Sequence, residues 1–390
     1  MMAIKLALRN LIGAGLRTWL NVIVLSFAFV VIIWHKGFLD GWDRQARTDM
    51  INWEAGGGQY WQNNYDPYDP FTLPDSHAEI PAELMNLADK DQLTPILIAQ
   101  GTLYPSGRMQ SILVKGIEPG QKLLSIPTAM LDTVTPGIPA IIGTAMASGT
   151  KLRKGDQVTL RWRDKNGAFD AGEITIAGIF QTNVPSVDGS QVWIPLDRLR
   201  EMMLLPNEAT LLVSSKNQKT FPSVNGWNFK SQEHLLAELD NIIKTKTIGG
   251  VILWGILLML ALLAIFDTQV LSIFRRQKEI GTYVAMGMTR GQVVTLFTVE
   301  GAMHSVLAAL LGAVYGIPLL SLQAIKGIAL PVSGSDYGIS MAERLYPHYG
   351  IGLIIITMLV VMLTTTIVSY WPARKIAKMK PTDALRGKIQ

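Results

Sequence analysis

Five histidines, at positions 35, 77, 234, 304 and 348, are the only imidazoles in the 390-residue chain. No two of them stand four apart, the spacing that sets two metal ligands on one helix face. There is no cysteine, which removes thiolate nucleophiles, disulfides and Cys-ligated zinc. Asp66 and Asp69 lack the spacing of a calcium loop, so no metal site is expected. No Gly-x-Ser-x-Gly elbow occurs, and no Gly-rich loop ends in Gly-Lys-Ser/Thr. The chain is therefore not expected to be an enzyme by itself, and any ATP it depends on is bound elsewhere. Two charged patterns remain. Arg275, Arg276 and Lys278 open a loop in which a short amphipathic segment, Glu279 to Met286, is broken by Gly287, after which Thr289 can cap the next helix. Glu300 and His304 stand at i, i+4 and share a helix face, where they could relay a proton, or where Glu300, near the start of its span, could be solvated or paired with a basic residue of the preceding loop. Both patterns point to electrostatics and docking rather than bond-making.

The elements that hold these residues follow from where charge is missing. Only 17% of residues are charged, against about 25% in soluble domains. The deficit lies in four stretches without a formal charge: 18–34, 247–266, 301–325 and 345–373. A helix rises 1.5 Å per residue, so a bilayer core of about 30 Å needs roughly 20 apolar residues. The last three stretches meet that length. The first is shorter, but Trp19 and Trp34 bracket it as interfacial aromatics do. No small-x-small cleavage pattern follows Trp34, so a retained anchor is expected rather than a signal peptide. Asp267 closes the second stretch and is expected at the bundle interior or the cytoplasmic rim. Asn21 and Ser26 are expected to bond to a neighbouring helix.

Lys and Arg concentrate in the N-terminal tail, in the loop between the second and third spans and in the C-terminal tail. By the positive-inside rule these face the cytoplasm. Residues 35–246 instead hold 20 Lys and Arg against 24 Asp and Glu. The basic pI thus belongs to a membrane-facing rim suited to anionic membrane lipids, and nucleic-acid binding is not expected of an acidic outer domain. Short β-branched runs (110–117, 156–162, 173–180 and 190–196) alternate there with helical pieces (79–89, 196–203 and 231–245), which predicts an α+β domain. The Gly-, Asn- and aromatic-rich stretch 56–75 reads as a loop. Its aromatics are expected to pack over the domain core or to form a ligand platform.

The segment FRRQKEIGTYVAMGMTRGQ (274–292), followed by Glu300-Gly301, resembles the FtsX-like permeases of MacB-type and lipoprotein-releasing (LolC/LolE-type) ABC transporters. The run Pro372 to Arg386 matches the usual ending of that family, and residues 3–18 look like its first amphipathic helix. Ile142-Gly143 and Leu152-x-x-Gly155-Asp156-x-Val158 resemble its small β-rich subdomain. Residues 37–61 look most like the LolE branch. The fold implied is a polytopic α-helical membrane protein of four transmembrane helices, with a large α+β extracytoplasmic domain between the first and second. The divisions are a cytoplasmic amphipathic helix (1–17), spans at 18–36, 247–272, 293–320 and 349–371, a MacB-like periplasmic domain (37–246), a cytoplasmic coupling helix (273–292), a short periplasmic loop (321–348) and a basic cytoplasmic tail (372–390).

The resemblance also implies a mechanism, called mechanotransmission. A dimer of ABC ATPases, carrying ATP and Mg, would engage Arg275, Arg276, Lys278, Glu279, Ile280, Gly281, Ala285, Met286 and Gly287 of this inner-membrane subunit. A second permease chain, identical or different, would complete the assembly. ATP-driven motion would reach the periplasmic domain and extract a lipoprotein or other lipidic cargo, with or without a periplasmic chaperone. Phe27, Val30, Val31, Trp254, Leu257 and Leu258 would line the lipid cavity. LolC-type proteins capture the chaperone with a longer, Pro-containing loop where this chain has only RDKNGAFDAG (163–172). Either this subunit does not capture the chaperone or its cargo is not a lipoprotein. A MacB-type efflux permease, an FtsX-like transmembrane signalling subunit and a membrane-anchored hydrolase are the other readings.

Overall fold

The computed structural model describes residues 15–218, 220–329 and 344–376. The expected amphipathic helix before residue 15, the middle of the 321–348 loop and the tail beyond residue 376 lie outside the described residues. The chain divides into two units, one of residues 1–42, 243–328 and 346–390, the other of residues 43–242 and 329–345.

The first unit is helical. Its long helices are α1 (Leu16–Met50), α2 (Ala237–Arg275), α4 (Arg290–Lys326) and α5 (Ile351–Ile376), with the short α3 (Gln277–Ala285) before α4. The four long helices are apolar and long enough to cross a membrane. One face of α1, carrying Val22, Leu25, Phe29 and Ile33, is buried with Ala261 and Ile265 of α2 and Ala308 of α4. Each such fully buried aliphatic side chain contributes about 1.5–3 kcal/mol in water, but lipid offers no such gain. Close packing and hydrogen bonds must then hold the bundle. Asn21 Nδ2 donates to Thr268 Oγ1 at 2.6 Å, and Ser26 Oγ meets Tyr315 Oη at 3.0 Å. Both expected interhelical bonds are thus present.

Three expectations for this unit change. Val30 is 6% exposed and fills the groove left by Gly312 and Gly316 of α4, a small-xxx-small approach. It belongs to the packed bundle and does not line a lipid cavity. Leu258 packs against the same cluster. Of the two places expected for Asp267 the bundle interior is excluded, since it is exposed on the outside of α2, where Ile265 and Gln269 occupy the inward positions on either side.

The second unit is built on a nine-stranded sheet: β1 (Gly58–Gln62), β2 (Leu93–Leu103), β3 (Gln110–Ile117), β4 (Ile138–Gly143), β5 (Gln157–Arg163), β6 (Phe169–Phe180), β7 (Gln191–Pro195), β8 (Leu211–Ser214) and β9 (Trp227–Ser231). The order is β9-β1-β8-β2-β3-β7-β4-β6-β5, and β5 returns to pair with β2. Six strands from β2 to β5 therefore close into a small barrel. The eleven-residue β2 serves two neighbours, pairing with β8 over 93–96 and with β5 over 101–103.

Strand side chains alternate between faces, and the two faces here carry separate cores. Leu97, Ala99, Ile112, Val114, Ala140, Ile142, Val192 and Ile194 fill the barrel. Their neighbours Ile96, Ile98, Ile117, Ile141 and Trp193 point outward into a second buried layer with Leu124, Val184 and Val213. The stretch expected as a loop contributes β1, whose Tyr60 is buried between β8 and β9. Its glycines and amides masked a β pattern only five residues long.

Candidate coupling site

The segment after α2 turns back on itself in one short helix. Arg276 ends the preceding run at φ −98°, and α3 begins at Gln277. The helix stops where Gly287 adopts φ +100°. Met288 N–H then bonds to Tyr283 O and Gly287 N–H to Val284 O, the paired closure of a Schellman C-cap. No atom lies within 4 Å of a Cβ added at Gly287, so backbone conformation alone selects glycine there. Thr289 caps α4, its side chain accepting from Gln292 N–H while the Gln292 side chain accepts from Thr289 N–H, a full capping box.

Two faces of α3 divide the work. Gln277, Ile280 and Gly281 are buried, and Ile280 packs with Ile273 of α2, Val293 and Phe297 of α4 and Ala373 of α5. Ile280 and Gly281 thus fasten the helix to its own chain, and their burial removes them from any docking face. Lys278, Glu279, Ala285, Met286 and Gly287 are exposed, as is Arg275 just before the helix. Met286 is 70% exposed, an apolar tip just past the C-terminal end of α3.

Arg276 ties α3 to α4. Its Nε donates to Glu279 Oε2 at 2.8 Å, and its Nη1 donates to Glu300 Oε2 at 3.0 Å and Oε1 at 3.2 Å. The guanidinium also lies 5.2 Å from the Phe297 ring centroid. Burial by itself would lower the Arg276 pKa, but the two carboxylates outweigh it and push the value up. Glu300 is buried and stands ten residues into α4, about 15 Å along its axis. Arg276 is its basic partner. His304, one turn on, is 3% exposed, with Nδ1 3.1 Å from Glu300 O. Its Nε2 has no hydrogen-bond partner among the described residues, nor do Gln269 Oε1 and Ser369 Oγ. The α4 and α5 backbones meet beside this pair, since a Cβ at Gly301 would lie 2.0 Å from Ser369 Oγ.

The residues named for a lipid cavity do not form one set. Phe27 is 60% exposed, while Val31, Trp254 and Leu257 are half-buried. Trp254 Nε1 donates to His35 Nδ1 at 3.2 Å, tying α2 to α1. Among the described residues, no group of three or more His, Asp or Glu could hold a metal ion.

Two buried charges escaped the sequence reading: Asp188, 8% exposed, whose Oδ1 accepts from Ala145 N–H at 3.1 Å, and Lys115. Lys115 lies between Leu113 and Ile117 on the outward face of β3, is 7% exposed, and has its Nζ 5.1 Å from the Trp193 ring centroid. The signal was a lysine at an apolar-facing position of QSILVKGI.

Residues 251–381, which span most of α2 and all of α3, α4 and α5, match the FtsX-like permease C-terminal family. The lipoprotein-releasing system transmembrane protein LolC of Neisseria meningitidis is 22% identical over 75% of this chain and 77% of its own length. The uncharacterized ABC transporter permease YknZ of Bacillus subtilis is 24% identical over 56% of this chain and 50% of its own. The macrolide export ATP-binding/permease protein MacB of Wolinella succinogenes is 24% identical over 42% of this chain and 23% of its own.

Proposed function

Starting from the fact that this chain is an ABC-transporter permease of the FtsX, MacB and LolC type, we propose that it relays the motion of a separate ATPase, docked on α3, to its outer domain. The observation that carries this reading is the Arg276 bridge. A lever that accepts a push must be exposed on one side and fixed on the other. Here Lys278, Thr282 and Met286 are exposed, while Arg276 joins Glu279 to Glu300 of the third span. A load on α3 therefore passes into α4 through a buried, charge-assisted contact as well as through Ile280.

The α1 and α2 helices each run without a break past the boundary between the units, which supports them as the shafts. Their outer ends are tied by an ion pair from Arg47 to Asp240. In this reading the chain sits in a bacterial inner membrane with both termini cytoplasmic and the outer domain periplasmic. It hydrolyses nothing itself and works beside a second permease chain.

The LolC relatives support a lipoprotein, or another lipidic molecule, as the cargo. Chaperone capture by this subunit is disfavoured. The β5–β6 connection is a tight turn in which Asp164 Oδ1 accepts from Asn166 and Ala168 N–H, with no projecting loop. The test is to purify the chain from its native membrane under mild detergent in the absence of ATP. An ATP-hydrolysing companion and a bound acylated protein should come with it. A companion with only unacylated peptide or drug would reject the lipidic cargo. A chain that arrives alone in stoichiometric, active form would reject the relay.

A further inference from the structure

The outer unit opens a cavity of about 1060 Å³ on the outward face of β3 and β7, at the upper end of the range for small-molecule sites. Its floor is Lys115 on Trp193. One wall is the segment after α1, where the helix widens into a single π-turn over Ile51–Ala55, a local form frequent at functional sites. That turn brings Trp53 and Glu54 to the cavity, and Trp61 and Tyr65 face it from β1 and the segment that follows.

Lys115 is the unusual member. An ammonium turned into an apolar layer is normally paired or satisfied by hydrogen bonds. Among the described residues no carboxylate forms an ion pair with Lys115, and its Nζ makes no hydrogen bond to a neighbour. Glu54 acts on it electrostatically but does not reach it; the Glu54 carboxylate accepts instead from Ser186 Oγ at 2.8 Å. Trp193, which also lines the cavity, has a buried indole N–H without an acceptor. Tyr65 adds a hydroxyl whose pKa is pushed up by burial, with Glu54 and Asp66 adding to the effect, so it remains an O–H donor. Lys230, half-buried with its Nζ 5.5 Å from the Trp61 ring centroid, is a second lysine of the lining, so the cavity presents a buried cation at Lys115, a less buried one at Lys230, the Tyr65 hydroxyl and aromatic walls. The negative charges of Glu54, Asp66 and Glu238 at its edge disfavour a dianion such as phosphate. A single carboxylate is the group that satisfies the buried cation at least cost.

We propose that this cavity is a binding site for a small organic monocarboxylate with an aromatic or aliphatic body, its carboxylate paired with Lys115 and its body against Trp53, Trp61 and Tyr65. The site is distinct from the coupling helix and from the membrane-embedded residues. The π-turn forms part of its wall, so occupancy would act on the outer domain at the end of α1.

The test uses the full chain in lipid nanodiscs and isothermal titration with three probes of one shape: phenylbutyrate, phenylbutyramide and phenylbutylamine. The carboxylate should bind at least about tenfold tighter than the amide, a difference of about 1.4 kcal/mol, and the amine weakest. In Lys115→Met the carboxylate and the amide should bind alike. Trp53→Ala should weaken both of these probes together. Equal affinities for all three probes in the wild-type chain, tightest binding of the amine, or no measurable binding of phenylbutyrate would each overturn the proposal. So would a carboxylate preference that survives in Lys115→Met. The wild-type probe series decides the matter even if a variant fails to fold, and it does not depend on any ATPase or cargo.

Discussion

Replacing Glu300 by Gln tests how α3 is fastened. The Glu300 side chain is 6% exposed and that of Arg276 17%, whereas that of Glu279 is 55% exposed. Breaking a buried pair from one side costs about 3–5 kcal/mol, because the surviving charge is left without its partner. Arg276 keeps Glu279 at 2.8 Å and the Phe297 face, so the lower end, about 3 kcal/mol, applies. Glu279→Gln removes an exposed partner and should cost less than about 1 kcal/mol. The readout is hydrogen exchange of the 277–285 peptide, since Ile280 N–H is held by Arg276 O at 2.9 Å, a bond within α3 that opens when the nine-residue helix, too short to persist once detached from α4, frays. Glu300→Gln should speed that exchange roughly a hundredfold, and Glu279→Gln by less than about fivefold. The double variant Arg276→Met with Glu300→Leu should return toward wild type, because an apolar replacement of a buried pair is often neutral or stabilising by about 1–4 kcal/mol. Equal effects of the two single variants, or a double variant that exchanges faster than Glu300→Gln, would refute the buried bridge as the fastening.

Two further outcomes follow from packing and charge. Gly301→Ala places a Cβ 2.3 Å from the Ser369 Cβ, a clash that no rotamer relieves; it should lower the thermal midpoint of the detergent-solubilised chain by a cost of at least about 1–3 kcal/mol, while Gly301→Ala combined with Ser369→Gly should recover most of it. Burial lowers the Lys115 pKa below 10.5, with Glu54 only partly offsetting it, so the folded chain holds that proton less tightly than the unfolded one; stability should rise with pH from the lowered value up to 10.5, and Lys115→Met should stabilise the fold at neutral pH and abolish that rise in chemical unfolding followed by near-UV circular dichroism.

The membrane helices and the C-cap at Gly287 were legible because both depend on local rules. An uncharged run of sufficient length must sit in lipid, and a helix followed by glycine at positive φ ends there. Glu300 was legible as a charge needing a partner, but which of Arg275, Arg276, Lys278 or Arg290 would supply it depends on how α3 folds back. The facing of Val30 was not legible, since α1 is apolar over much of its surface and only the glycines at 312 and 316 decide which side is buried. Lys115 stayed hidden for a related reason. In an open sheet a lysine marks the solvent face, and nothing local to QSILVKGI shows that β5 closes on β2 and that both faces are covered.

The relay itself is tested most directly on the complex of this chain with its ATPase in nanodiscs. A spin label at Asn228 of the outer unit, read against a second label on the companion permease chain, would report distance while ATP turnover is measured in the same sample. Met286→Glu with Lys278→Glu alters only exposed positions of α3 and should leave the chain folded. The wild-type pair should change its distance distribution between nucleotide-free and ATP-bound states. The α3 variant should lose that change, with any remaining hydrolysis no longer coupled to it. An unaltered distance change in the variant, or a wild-type outer domain that does not respond to ATP, would contradict the account.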